Sequence, residues 1–189
     1  MSSWATSLAE HYGEVLDGME RTLLDCPDEL WEASMWKVEW DDRWGPVRAP
    51  GLSPTDSEGR EGWIQSRSAV WATAHHALFC LDYDLSGGHG QWNPPGPFAE
   101  ELWDYFPITR VYSRPELIAY VQYVKDRANR VLAALTDDDA TAPIPAEHGH
   151  RYHGRTFAWL LLLGLQHVAE HEAQIRQFIT DRSEHQDRR

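Results

Sequence analysis

Apolar residues recur every three or four positions along four stretches of this chain, and the stretches between them are rich in proline, glycine and charge. A period near 3.6 residues is that of an amphipathic helix with one buried face, and no segment shows the alternation typical of a strand. The pattern predicts four helices of about 20 residues each, at 4–24, 64–85, 114–135 and 156–179.

Four helices of this length predict an all-α fold, an antiparallel four-helix bundle with long loops around the second helix. The loops are expected at 40–62 and 90–112, and the 189 residues suit a single domain. Its core is expected over about 4–180, followed by a short disordered C-terminal tail.

The third helix has the clearest start signal. In SRPE, Ser113 is placed to cap the helix, Pro115 falls in the first turn, and Glu116 follows the serine by three residues, as in a capping box. The segment TDDDATAPIPAEHGHRYHG at 136–154 is expected to separate the third and fourth helices.

Charge and composition exclude several classes of function. The formal net charge of -13 would repel a phosphate backbone, so nucleic acid is not an expected partner. The first residues lack the pattern of a signal peptide, and the longest apolar run, FAWLLLLGL, is too short to span a membrane. We therefore expect a cytoplasmic protein without a membrane partner, in which Cys26 and Cys80 are reduced thiols.

Two histidines four residues apart lie on the apolar face of the fourth helix. His167 and His171 share this face with Leu160, Val168 and Ile175, so both imidazoles should point into the bundle. Buried imidazoles need hydrogen-bond partners or a shared cation, and this spacing allows two ring nitrogens to bind one divalent metal. The pattern is not that of a zincin, because Val168 stands where that motif has its glutamate.

A third ligand would have to come from another helix, and the second helix offers His75 and His76. Adjacent residues point about 100 degrees apart on a helix, so only one of the two can face a common centre. Both positions share a face with apolar residues, and periodicity does not decide between them.

The histidine followed by LF-x-LD in the second helix and the pattern H-x-x-x-H-x-x-Q-I in the last helix resemble the DinB/YfiT-like superfamily of metal-binding four-helix bundles. The resemblance covers about residues 4–180, with Ala173 in place of a glycine that is frequent in that family. It implies that His76 is the ligand in the second helix and that His76, His167 and His171 form a three-histidine metal site.

The resemblance also implies a divalent-metal-dependent enzyme that acts on a small-molecule substrate. Members with known activity are thiol-dependent transferases and isomerases, so we expect zinc or nickel and a low-molecular-weight thiol as cofactors. The alternatives are a metal-dependent hydrolase and a protein in which the site holds a metal or ligand without catalysis.

Three further expectations concern the surroundings of this site. Asp82 and Glu170 are candidates for hydrogen bonds to ligand imidazoles, although a surface role fits each equally well. His148, His150 and His153 are expected in a solvated loop, outside the site. The run FAWLLLLGL is apolar on every side, which predicts a homodimer through the first half of the fourth helix; coverage by the aromatic loops is the rival explanation.

Overall fold

The computed structural model describes residues 3–38, 65–87, 92–100, 110–146 and 150–187. Within these ranges the chain forms five α-helices, which we number in order: α1 Ser3–Asp25, α2 Val70–Asp84, α3 Arg114–Ala134, α4 Asp137–Thr141 and α5 Phe157–Asp187. The predicted all-α fold is confirmed, because the described segments contain isolated β-bridges but no strand. Among the described helices, none combines the length and apolar character needed to cross a membrane.

The four long helices pack in a ring, in which α1 and α2 each contact both α3 and α5. Residues later in α1 contact residues later in α5. The Tyr12 hydroxyl donates to the Leu161 carbonyl at 2.5 Å, and the Thr22 hydroxyl, further along α1, donates to Glu172 at 2.8 Å. These two helices therefore run parallel, which differs from the predicted antiparallel arrangement. Long connections between consecutive helices make parallel neighbours feasible.

Two of the remaining pairs, α1 with α3 and α2 with α5, are antiparallel, as predicted, and α2 and α3 therefore run parallel to each other. Lys125 of α3 forms an ion pair with Asp17 of α1, and Gln122, one turn earlier, donates to Glu20, one turn later. In the pair of α2 and α5, Leu81 lies against Gly164, and His76, earlier on α2, contacts His167, later on α5.

The core lies between the four long helices and consists of apolar side chains at the predicted spacing. Every third or fourth residue of α1 is buried, as are matching positions of α3: Leu8, Tyr12, Leu16, Met19, Leu23, Leu117, Val121, Val124, Ala128 and Leu132. Gly164 of α5 lies at the closest approach, where an added Cβ would stand 3.0 Å from Leu81 Cδ1 of α2. Because glycine has no side chain, α5 can pack closely against Leu81 of α2 at this position.

The predicted second helix, 64–85, is interrupted: Gln65 and Ser66 are helical, residues 67–69 form a turn and a β-bridge, and α2 begins at Val70. Residue 64 lies outside the described residues. The Ser68 hydroxyl donates to the Trp36 carbonyl at 2.7 Å, and the Ser68 carbonyl accepts from the Met35 amide at 2.9 Å. Ala69 is extended and bridges Ser34. Ser68 and Ala69 therefore pair with the segment after α1 at the point where an uninterrupted helix would continue. The predicted loop at 40–62 also lies outside the described residues.

The end of α5 and the segment before it also differ from the prediction. The helix continues to Asp187 rather than ending near residue 179, because the polar sequence after Ile179 contains neither glycine nor proline. In the predicted break after α3, Thr136 caps the short helix α4 in a capping box with Asp139. The helix α5 thus extends through most of the segment for which we predicted a disordered tail.

The predicted start of α3 is confirmed. Ser113 is the N-cap, its amide donates to Glu116 at 2.8 Å, and the capping box is complete. The hydrogen bonds from Ser113 and Arg110 lower the pKa of Glu116 to about 2, so this cap stays ionised.

Candidate metal centre

Three imidazole rings converge between α2 and α5. The Nε2 atom of His167 lies 3.1 Å from Nε2 of His76 and 3.0 Å from Nε2 of His171. The three rings stand nearly edge to face, with interplanar angles of 87°, 84° and 73°. Each side chain is half-buried. The antiparallel packing of α2 on α5 therefore brings His76 to the two adjacent turns that carry His167 and His171.

The spacing of these nitrogens fits a divalent transition metal. One ligand nitrogen from each of the three histidines lies within 4.8 Å of the other two. Two imidazoles bound tetrahedrally at Zn–N distances of about 2.0–2.1 Å have nitrogens about 3.3 Å apart, close to the 3.0 and 3.1 Å found here. Three neutral imidazoles suit zinc, copper, iron or nickel.

In His171 and His76, the other ring nitrogen, Nδ1, also has a partner. His171 Nδ1 lies 2.8 Å from the Gln174 side-chain oxygen, and Cys80 Sγ lies 3.8 Å from His76 Nδ1. Gln174 belongs to the pattern H-x-x-x-H-x-x-Q-I, but the pattern alone does not predict a contact with His171. Its position three residues after His171, at a spacing that brings helical side chains together, was the available signal.

His75 takes a different position from His76. It is 1% exposed and packs against the rings of Phe79, Phe98 and Tyr112, at centroid distances of 5.2, 5.7 and 4.8 Å. Its ring thus lies in the aromatic core next to α3, on the other side of α2 from the histidine cluster.

Asp82 joins α2 to α3 instead of reaching toward the cluster. Its carboxylate accepts hydrogen bonds from Trp92 at 3.0 Å, Tyr120 at 3.1 Å and Arg127 at 2.6 Å. Burial raises the pKa of Asp82, and these donors oppose the rise. Glu170, the other candidate for a bond to an imidazole, is exposed and accepts from Gln166 at 2.7 Å.

The prediction that the HGHRYH segment is a solvated loop is wrong for His150. This residue is 2% exposed, and its ring stacks on Tyr83 at an interplanar angle of 9°. Its Nε2 lies 3.3 Å from Asp84, while its Nδ1 accepts from the Tyr152 amide at 3.1 Å. His153 is exposed, as predicted, and His148 lies outside the described residues.

Asp84 is itself buried, and the loss of hydration raises its pKa, whereas the hydrogen bond from His150 lowers it. Both ring nitrogens of His150 are engaged, so the pair fastens the segment before α5 to the end of α2. No sequence pattern predicts this contact, because Gly149 and Arg151 interrupt any apolar pattern around His150.

Comparison with known proteins agrees with this architecture. The model of the DinB superfamily matches residues 14–175, a span that contains all three clustered histidines. No curated protein and no solved structure matches the chain at a significant level.

Proposed function

Since the chain belongs to the DinB superfamily, we propose that it is a divalent-metal-dependent enzyme whose metal is held by His76, His167 and His171. The observation that carries this proposal is the convergence of one ring nitrogen from each of three histidines, on two helices, within 4.8 Å of one another. Three imidazoles on a four-coordinate metal leave one position open, which is the arrangement of catalytic sites, whereas structural zinc sites are closed by four protein ligands.

A divalent cation held in this way supplies a Lewis acid with an open coordination position. Zinc and nickel are the metals that we propose. The protein contributes a half-buried setting, in which one helix, α5, carries His167 and His171, and the packing of α2 on α5 brings His76 beside them. We further propose a small-molecule substrate and a cytoplasmic location.

For the reaction, we propose a thiol-dependent transfer or isomerisation that uses a low-molecular-weight thiol. Hydrolysis at the same site is the second candidate, because a three-histidine site with an open position is equally suited to it. The non-enzymatic alternative is a site that only ties α2 to α5 or captures a ligand without turnover.

Metal analysis tests the ligand set. Protein purified without chelator should contain about one divalent transition metal per chain, and His76→Ala, His167→Ala and His171→Ala should each lose most of it. His11→Ala is the matched control, because that ring is exposed on α1 and lies beside Glu14. Wild-type protein that takes up no metal, or His76→Ala protein that keeps it, would contradict the proposed ligands.

Removing the metal separates the catalytic from the structural interpretation. A catalytic site should keep its fold without the ion, whereas a site that ties two helices together should lose much of its stability. Thermal unfolding of metal-free and metal-loaded protein measures this difference. Unfolding of the metal-free chain at ordinary temperature would favour the structural alternative.

Cobalt substitution tests the use of a thiol. Adding a low-molecular-weight thiol to the cobalt protein should produce an intense near-ultraviolet charge-transfer band, which imidazole and water ligands do not give. The band should be absent in His167→Ala, which lacks a metal ligand, and present in Cys80→Ser, because we propose that the added thiol and not Cys80 supplies the sulfur ligand; Cys80 Sγ lies 3.8 Å from His76 Nδ1. If bound cobalt shows no band with thiol, the transferase proposal fails and hydrolysis is favoured.

Self-association through the first half of α5 is a further proposal. Leu160 and Leu161 are buried in the bundle, but Leu162 is 58% exposed, and Trp159 and Leu165 are half-buried beside it. A second copy of the chain is the occupant that we propose for this surface.

A further inference from the structure

The hydrogen-bond partners of the clustered histidines determine where each ring carries its proton. An amide oxygen can only accept, so the Gln174 oxygen at 2.8 Å requires a proton on His171 Nδ1. A neutral imidazole with its proton on Nδ1 has its lone pair on Nε2, the atom that faces His167. Gln174 therefore selects the tautomer in which His171 can bind a metal through Nε2.

Cys80 occupies the corresponding place behind His76. It lies one turn later on α2, with Sγ 3.8 Å from His76 Nδ1. If the thiol accepts from Nδ1, the lone pair of His76 lies on Nε2, directed at His167. The opposite direction would put a proton on Nε2 and prevent that atom from binding a metal.

The third ring completes a consistent chain of donors and acceptors. His167 Nε2 lies between the other two Nε2 atoms, at 3.1 and 3.0 Å. When no metal is bound, a proton on His167 Nε2 can be shared by the lone pairs of His76 and His171. With Nδ1 protonated in both His76 and His171, two of the three lone pairs would be directed at the centre before a metal arrives.

We propose that Gln174 and Cys80 are positioning residues, which hold the protons of His171 and His76 on Nδ1 and leave both Nε2 lone pairs directed at the common centre. As a statement about metal affinity, this inference rests on the proposed function. The tautomers themselves can be measured in the metal-free protein, independently of any activity.

The first test is nitrogen NMR of the metal-free protein, at a pH above the titration range of the imidazoles. Ring correlation spectra distinguish the protonated from the unprotonated nitrogen. We expect the proton on Nδ1 in His76 and His171 and on Nε2 in His167. Replacing Gln174 with leucine should shift His171 toward a mixture of tautomers, whereas Gln174→Glu, which keeps an acceptor, should retain the Nδ1 proton.

The second test measures the affinity for zinc by competition with a chelator. Gln174→Leu should bind zinc about 10- to 100-fold more weakly, the usual effect of removing a group that orients a ligand histidine, and Gln174→Glu should recover most of the affinity. Gln166→Leu is the matched control, because this amide is exposed on the same helix, as Gln174 is, but donates to Glu170 instead of accepting from an imidazole.

The cysteine is tested in the same way. Cys80→Ala removes the acceptor and should weaken zinc binding less than tenfold, because sulfur is a weak acceptor, whereas Cys80→Ser should bind zinc like the wild type. Cys26→Ala is the control, since that thiol lies at the end of α1 and donates to the Pro27 carbonyl. Wild-type affinity in Cys80→Ala would overturn the role of Cys80.

The outcomes separate this inference from the proposed function. A proton on Nε2 of His171 in the metal-free wild type, or wild-type affinity in Gln174→Leu, would overturn the role of Gln174 even if the protein is a metalloenzyme. Wild-type protein that shows the expected tautomers but binds no metal would refute the proposed function and leave the hydrogen-bond assignment intact.

Discussion

The ion pair between Arg127 and Asp82 offers a sharp test of how α2 is held against α3. The Asp82 side chain is fully buried, and Arg127 Nη1 lies 2.6 Å from its Oδ1. Replacing Arg127 with methionine keeps much of the packing of the side chain but removes its charge. The variant therefore leaves a carboxylate in the core with only the neutral donors Trp92 and Tyr120.

The expected loss of stability follows from these contacts. Removing one partner of a buried ion pair costs about 3–5 kcal/mol. Two features place this pair at the lower end: Trp92 and Tyr120 still donate to Oδ2, and the Arg127 side chain is 17% exposed, so water screens part of its charge. We expect Arg127→Met to lower the free energy of unfolding by about 3 kcal/mol near neutral pH.

The loss should become smaller at acidic pH. Burial raises the pKa of Asp82, and Arg127 opposes that rise, so the pKa should be higher still in the variant. The folded variant then takes up a proton as the pH falls, at pH values where the wild-type carboxylate is still ionised. Between those two pKa values the difference in unfolding free energy shrinks as the pH decreases.

Urea unfolding near neutral pH and at about pH 5 measures both effects. Arg130→Met is the matched control, because Arg130 is exposed on the same helix. In the double variant Asp82→Asn/Arg127→Met no charge is left without its partner, so its loss should be smaller than the sum of the single losses by at least about 1 kcal/mol. A loss that is independent of pH, or additive losses, would refute this reasoning.

Three other perturbations have defined outcomes. Burial raises the pKa of Asp84 in the folded state. The folded state therefore binds more protons than the unfolded state between the ordinary aspartate pKa of about 4 and this raised pKa. Unfolding free energy then falls as pH rises through that window, and Asp84→Asn should flatten the urea-derived profile; an unchanged slope would contradict this. Gly164→Ala should gain about 1 kcal/mol of helix propensity but lose about 1–3 to overpacking against Leu81, so its thermal unfolding midpoint should fall rather than rise. Light scattering should give a dimer mass for the wild type and 21.8 kDa for Leu162→Glu; a monomeric wild type at every concentration would reject the dimer.

Features that depend on local sequence were predictable. The capping box at Ser113 was visible because its residues are three positions apart and interact with each other directly. The placement of His167 and His171 on one helical face was visible for the same reason, since a helix fixes the relative direction of residues four apart. The choice of His76 over His75 was not local, and only the family resemblance favoured it.

Features that depend on contacts distant in sequence could not be predicted. The start of α2 is set by hydrogen bonds from Ser68 to the segment near Trp36, and this pairing has no signature in either segment. The burial of His150 depends on Asp84, 66 positions earlier. The parallel direction of α1 and α5 likewise follows from how the long connections are routed, which the helical period does not encode.

The distribution of the three histidines along the chain bears on the order of folding. His167 and His171 come together as soon as one turn of α5 forms, which is a local event that takes less than about a microsecond. His76 is 91 positions away from His167 and reaches it only when α2 docks on α5. Closing a loop of that length is an entropic cost that helix formation alone does not offset. The environment of the His76 ring therefore changes in the late, long-range step, when α2 docks on α5, whereas that of His171 first changes when its own helix forms.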